Sequence, residues 1–240
     1  MNLEILAYES SPLGPLCLRR RELLSQPGTV VTEVTLNHEF LMSSLYTDSE
    51  RALARTAIQI HARDDLRVLV GGLGLGYTVR EALLSKRVAR VEVVELLPQV
   101  IDWLARGLVP LSSELQVEMF DERRLVVTEG DVYRRLAGPP DELVDVILID
   151  IDHSPDERLG DESAPFYTTR GLQAARRHLA PDGVMAVWSY AESSPFVDAL
   201  HEVFEHVHVE SVTYHNQLVD EYPTDWLFLA RGKPSQGLSS

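Results

Sequence analysis

From Val144 to Asp150 the chain reads Val-Asp-Val-Ile-Leu-Ile-Asp, an apolar run with no continuous polar face. Such a strand is stable only when both its faces are covered, as in a parallel sheet held between layers of helices. Similar runs predict strands at Leu66–Val70, Val91–Glu95, Leu125–Thr128, Val144–Asp150, Val184–Tyr190, His206–Thr213 and Trp226–Ala230. Between them, apolar residues at helical spacing predict helices over Leu75–Lys86, Pro98–Arg106, Val132–Ala137, Thr168–Leu179 and Pro195–Phe204. The alternation points to an α/β fold, a doubly wound and mostly parallel sheet of seven strands.

Residues 1 to about 45 read differently. Leu13–Leu18 and Thr29–Leu36 alternate or run apolar around the turn residues Pro27 and Gly28, which predicts a small antiparallel β unit. Ser49–Ile60 then carries helical spacing, with Ser49 as a candidate N-cap. The expected division is residues 1–48 as the β unit, 49–232 as the main domain and 233–240 as a frayed tail.

Charge limits the partners. The formal net charge is −15 across 240 residues, and the longest basic run is Arg19-Arg20-Arg21. Nucleic acid is bound through clustered Lys and Arg, so it is not an expected partner. Cationic small molecules suit an acidic chain if the charge is focused near a site. No apolar run approaches the roughly 20 residues of a membrane span, and no signal peptide is read in the opening residues. One cysteine, Cys17, forms no internal disulfide, which leads to the expectation of a cytoplasmic protein.

The stretch "VLVGGLGLGYT" places Gly72, Gly74 and Gly76 in the first strand-to-helix turn of the predicted sheet. In open α/β sheets ligands bind beyond the carboxyl ends of the strands, where such a turn lies. Two acids end the neighbouring strands. Glu95, nineteen residues beyond Gly76, is placed to accept from ribose hydroxyls, and Gly130-Asp131 follows the third strand. Asp131 is equally suited to capping the next helix. No Lys follows the glycines and Val79 replaces the last glycine of a dinucleotide turn, so a nucleoside without phosphate is the expected ligand.

These pieces resemble a class I S-adenosylmethionine-dependent methyltransferase fold, which is Rossmann-like, and within it the spermidine synthase family. "VLVGGLGLGYTVRE" is similar to that family's V-L-I-G-G-G-D-G-G-x-x-R-E, and "VEVVELLPQVI" to its V-x-x-V-E-I-D-x-x-V-I. "VDVILIDIDHSP" resembles D-V-I-I-x-D-x-x-D-P, and "EYPTDWLFLA" resembles T-Y-P-S-G-x-W-G-F-x-x-A. The likeness covers roughly Leu66 to Ala230. It implies Glu95 on the ribose, Asp131 near the adenine and Asp150 as the catalytic aspartate. It implies S-adenosylmethionine or its decarboxylated form as donor, a cationic amine as acceptor, and a homodimer.

A carboxylate at Asp150 would orient an acceptor ammonium and take its proton, since an amine attacks only as the neutral lone pair. The acid-rich segment that follows Asp150 reads as a lid over the acceptor, with Asp152 and His153 as acceptor contacts. Aromatic side chains gather at the same edge, and Tyr77, Tyr190 and above all Tyr222 are candidates to face a cation. A metal is not expected at Asp150, Asp152 and His153, because neighbouring strand positions point to opposite faces. The family's turn acid, which would neutralise the ammonium of a decarboxylated donor, stands at Gly74 here. That departure favours methyl transfer from intact S-adenosylmethionine to an amine-bearing small molecule. Aminopropyl transfer is the alternative, and a nucleoside-binding protein without catalysis is a third reading.

Overall fold

The computed structural model describes residues 3–120, 124–159 and 163–232. The expected tail at 233–240 lies outside them. Four strands open the chain, β1 (Leu3–Ser11), β2 (Gly14–Glu22), β3 (Val30–Leu36) and β4 (Glu39–Ser43), in one antiparallel sheet of order β1-β2-β3-β4. The basic run lies on β2, where Arg19 and Arg21 both pair with the buried Glu33, at 2.9 and 2.7 Å. Two guanidinium groups thus neutralise a carboxylate that burial would otherwise penalise, and Glu33 titrates below its usual range.

The main sheet follows α1 (Asp48–Ile60). It comprises β5 (Leu66–Gly71), β6 (Val88–Glu95), β7 (Leu125–Glu129), β8 (Val144–Ile149), β9 (Leu179–Ser189), β10 (His206–Thr213) and β11 (Thr224–Arg231). Their order is β10-β11-β9-β8-β5-β6-β7, parallel except that β11 runs against both its neighbours. Every residue of β8 is buried, as the opening run requires. The helices are α2 (Tyr77–Leu84), α3 (Pro98–Ala105), α4 (Ser112–Phe120), α5 (Val132–Ala137), α6 (Thr169–Arg176) and α7 (Ser194–Val203). Two apolar clusters lie on opposite sides of the sheet. One takes in Leu53, Val79 and Trp103, and the other Leu172, Phe196 and Phe204.

Among the described residues no helix is long and apolar enough to cross a membrane. The helix α4 has no counterpart in the sequence reading. Chain order reverses around β5, which pairs with β6 on one side and β8 on the other. Ligands of doubly wound sheets lie at such a switch point, and the turns after β5 and β8 meet there.

Candidate active site

The turn between β5 and α2 is held from below. Gly72 and Gly74 have φ of 88° and 52°, in the left-handed region that favours glycine. A Cβ at Gly72 would meet the backbone oxygen of Asp150 at 2.7 Å, so this glycine lets two strand ends close on each other. A Cβ at Gly74 would meet only Met42, at 3.3 Å, and Gly74 faces the cavity described below. Gly76 caps α2 and packs against Leu115.

Glu95 ends β6 and is buried. Its Oε2 accepts from the Leu73 N–H at 2.7 Å and its Oε1 from the Leu97 N–H at 2.8 Å. Burial raises its pKa, against the pull of these backbone amides. The side chain therefore braces the glycine turn, with the backbone amides of Gly74 and Leu96 also drawn toward its carboxylate. Asp131 caps α5, its Oδ1 accepting from Tyr133 N–H at 2.8 Å and Arg134 N–H at 3.2 Å. Gly130 N–H donates to the Glu95 carbonyl at 2.9 Å, which ties the second and third strand ends together.

A cavity of about 560 Å3 opens beside the turn. Gly74, Gly76, Tyr77, Asp150, His153, Trp188 and Tyr190 line it, as do Glu50, Tyr214 and Asp225, which the sequence does not single out. Asp150 follows β8, with its N–H on the Gly71 carbonyl at 3.1 Å and its Oδ2 accepting from the Thr78 hydroxyl at 2.5 Å. Glu50 stands in the first turn of α1. Asp225 belongs to β11, and its Oδ2 accepts from the Ser49 hydroxyl at 2.6 Å. Ser49 is thus a buried holder of Asp225 and not the expected N-cap, a place Thr47 takes without a side-chain bond.

Five carboxylates line this space; Glu33 is paired with Arg19 and Arg21, Glu157 accepts from the Tyr190 hydroxyl, and Glu50, Asp150 and Asp225 lie without such a salt bridge among the described residues. Burial, then the charge of Asp150, pushes Glu50 up to about 8. Burial pushes Asp150 up to about 6, against the Thr78 hydroxyl and with Asp225 adding to the rise. Burial also raises Asp225, against its hydrogen bonds. An unfolded carboxylate titrates near about 4, so in the window up to about 8 the folded chain holds protons that the unfolded chain has released. These groups then subtract stability as pH rises through that window. Calorimetric melting of the unliganded protein should lose more Tm between about pH 5 and pH 8 than that of Glu50→Gln. Equal slopes would show that Glu50 carries no such penalty.

Other expected residues lie elsewhere. Asp152 is buried away from the cavity, accepting from the Tyr133 and Tyr167 hydroxyls at 2.8 and 3.0 Å and from the Leu159 N–H at 2.9 Å. The strand ends at Ile149 and the chain turns, so Asp152 serves the loop and not the acceptor. Tyr222 does not line the cavity. It is 67% exposed and stacks on His215 at 4.5 Å, because residues 214–223 fold back on themselves through the Asn216–Glu221 bridge. Tyr214, from the same segment, faces the cavity in its place. Tyr190 donates to Glu157, and His153 meets its ring edge-on at 6.5 Å. This ties part of the acid-rich segment to the rim, while Asp161 and Glu162 lie outside the described residues.

No protein-family model matches the chain. It is 36% identical over 121 residues to "Polyamine aminopropyltransferase 2" of Streptomyces coelicolor, covering 50% of this chain and 21% of that protein. It is 30% identical over 167 residues to the Bacillus anthracis protein of the same name, covering 69% of this chain and 44% of the other. The chain thus spans less than half the length of these two curated relatives. Among solved structures, a spermidine synthase in complex with the transition-state analogue AdoDATO superposes with a TM-score of 0.73 at 20% identity. The match covers 96% of this chain and 74% of that one. Spermidine synthase from Thermotoga maritima gives 0.69 at 18%, covering 96% and 73%.

Fold and site together define an α/β protein built on the class I S-adenosylmethionine-dependent methyltransferase-like plan, a plan shared with a precorrin-6y methyltransferase at a TM-score of 0.51. Within that class the chain is spermidine synthase-like, similar in sequence to polyamine aminopropyltransferases and in fold to spermidine synthases.

Proposed function

We propose that this chain transfers an aminopropyl group from decarboxylated S-adenosylmethionine to an amine. The observation that carries the reading is the acid-lined cavity that runs from the glycine turn to Asp150. A sulfonium donor with an ammonium tail and an ammonium acceptor are both cations, and a cavity bounded by Glu50, Asp150 and Asp225 is complementary to them. The names of the matched relatives support the same chemistry. Methyl transfer, expected from Gly74, loses its ground. That expectation assumed an ammonium left unpaired, and the cavity holds acids that sequence spacing does not reveal.

In this reading Gly74 lets the donor lie against the turn, Glu95 and Asp131 take the ribose and adenine, and Asp150 faces the acceptor. The acceptor ammonium first gives a proton to the Asp150 carboxylate, which a pKa of about 6 allows without holding the proton permanently. The nitrogen lone pair then attacks the aminopropyl carbon bound to sulfur. A C–N bond forms, the C–S bond breaks, and its electron pair leaves with sulfur as neutral methylthioadenosine. The nitrogen sheds its remaining extra proton to solvent. Tyr77 and Trp188 line the path; the Arg51 guanidinium covers one face of Tyr77 at 4.9 Å, which leaves its other face and Trp188 for the cations. A homodimer in the cytoplasm is part of the proposal.

The test is direct. The protein is incubated with decarboxylated S-adenosylmethionine and a series of short diamines, and mass spectrometry follows methylthioadenosine and the aminopropylated amine. Release of both supports the reading. Methylated amine from the intact donor, with no product from the decarboxylated one, would overturn it.

A further inference from the structure

The geometry points to Glu50 and Asp225 as the residues that make this site select a donor lacking a carboxylate, supplying from α1 and β11 the charge that the glycine turn does not contain. The inference rests on the aminopropyl-transfer reading and deepens it.

Between Gly72 and Gly76 the turn holds only Leu73, Gly74 and Leu75, with no acid. Glu50 lines the same cavity from another element, its Oε2 3.3 Å from Ser49 Oγ. The Thr78 hydroxyl, two residues past the turn, lies 3.3 Å from the Glu50 carbonyl oxygen and 2.5 Å from Asp150 Oδ2. The hydroxyl's one proton goes to Asp150, which ties the start of α2 to the end of β8, with the start of α1 packed alongside. Asp225 enters from the antiparallel strand and is fixed in orientation. Ser49 Oγ donates to it at 2.6 Å and itself accepts from Trp188 Nε1 at 2.9 Å.

Two independent features show that these acids await a cation from outside. Asp150 Oδ1 has no hydrogen-bond partner among the described residues, although its carboxylate lines the cavity. Among the described residues Arg21 is the one Lys or Arg in that lining, and its guanidinium is held 2.7 Å from Glu33. Among the described residues Glu50, Asp150 and Asp225 form no salt bridge, and the nearby Arg51 guanidinium stacks on Tyr77 at 4.9 Å. A decarboxylated donor brings a sulfonium and an ammonium. The cations of either donor draw Glu50, Asp150 and Asp225 into their charged forms, and the intact donor brings in addition a carboxylate, which those charged forms repel. Selection against the intact donor then comes from repulsion as much as from attraction.

The test is titration calorimetry on the wild type, Glu50→Gln and Asp225→Asn, each with decarboxylated S-adenosylmethionine, intact S-adenosylmethionine and methylthioadenosine. Methylthioadenosine carries neither ammonium nor carboxylate and so reports on the nucleoside cradle alone. The wild type should prefer the decarboxylated donor by about tenfold or more. Each variant should lose most of that preference while binding methylthioadenosine within about twofold of the wild type. Undiminished preference in both variants would overturn this inference and leave the aminopropyl reading standing. So would a loss of methylthioadenosine affinity as large as the loss for the donor, because the acids would then shape the fold and not the charge. A wild type that favours the intact donor, or binds neither, would sink the aminopropyl reading itself and this inference with it.

Discussion

Asp150→Asn is expected to lower kcat by about a thousandfold while methylthioadenosine binds as before. Asn keeps the shape of the side chain and can still accept from the Thr78 hydroxyl, so the bond at 2.5 Å survives in kind. What disappears is the capacity to take a proton. An alkylamine is almost wholly protonated at neutral pH, and an amide beside it neither attracts the cation nor removes its proton. Removal of a positioned general base costs about 10²–10⁴ in rate. Steady-state kinetics on the aminopropyl product, set beside calorimetry with methylthioadenosine, checks both halves. A kcat within about tenfold of the wild type would show that Asp150 is not the base.

The second large effect concerns the donor side. Glu95→Gln should weaken methylthioadenosine and donor binding by about a hundredfold. The two carboxylate oxygens each accept a backbone N–H, from Leu73 at 2.7 Å and Leu97 at 2.8 Å. An amide offers one oxygen, so its NH2 must face the other N–H, donor against donor in a buried place. The Leu73 bond anchors the glycine turn, and its loss frees the loop on which the proposed nucleoside would lie. On the proposed reading the ribose hydroxyls also lose one of their two carboxylate acceptors. Calorimetry with methylthioadenosine reads this without any chemistry, and an affinity equal to the wild type would contradict both the bracing and the ribose roles.

Much of this architecture is legible in the sequence, for identifiable reasons. Strands such as β8 are buried on both faces, and their composition admits no other fate. The glycine turn, Glu95 and Asp150 are legible because each ends a strand at the same sheet edge, so local pattern and tertiary position coincide. The helix α4 escapes because Ser112–Phe120 mixes polar and apolar residues with little sidedness, and its place is set by packing of Leu115 under the turn.

Glu50 and Asp225 escape for a different reason. The first reads as an ordinary acid near a helix start, and the second is one polar residue in an apolar strand. They stand 175 positions apart, and only the joining of α1 to β11 through Ser49 brings them together. One signal was available. Asp225 lies between Thr224 and Trp226 in a strand otherwise rich in buried apolar residues, where a charge demands a reason. Tyr222 misleads in the opposite sense, since a likeness of motif fixes its position along the chain but not the direction of its loop.

The most direct test of the account is a crystal structure of the protein with decarboxylated S-adenosylmethionine bound. Adenosine is expected beyond the carboxyl ends of β5 and β6, with the ribose at Glu95 and the aminopropyl chain extended past Gly74 into the cavity toward Asp150. An adenosine lodged away from that edge, or an aminopropyl chain directed away from the cavity acids, would contradict this reading.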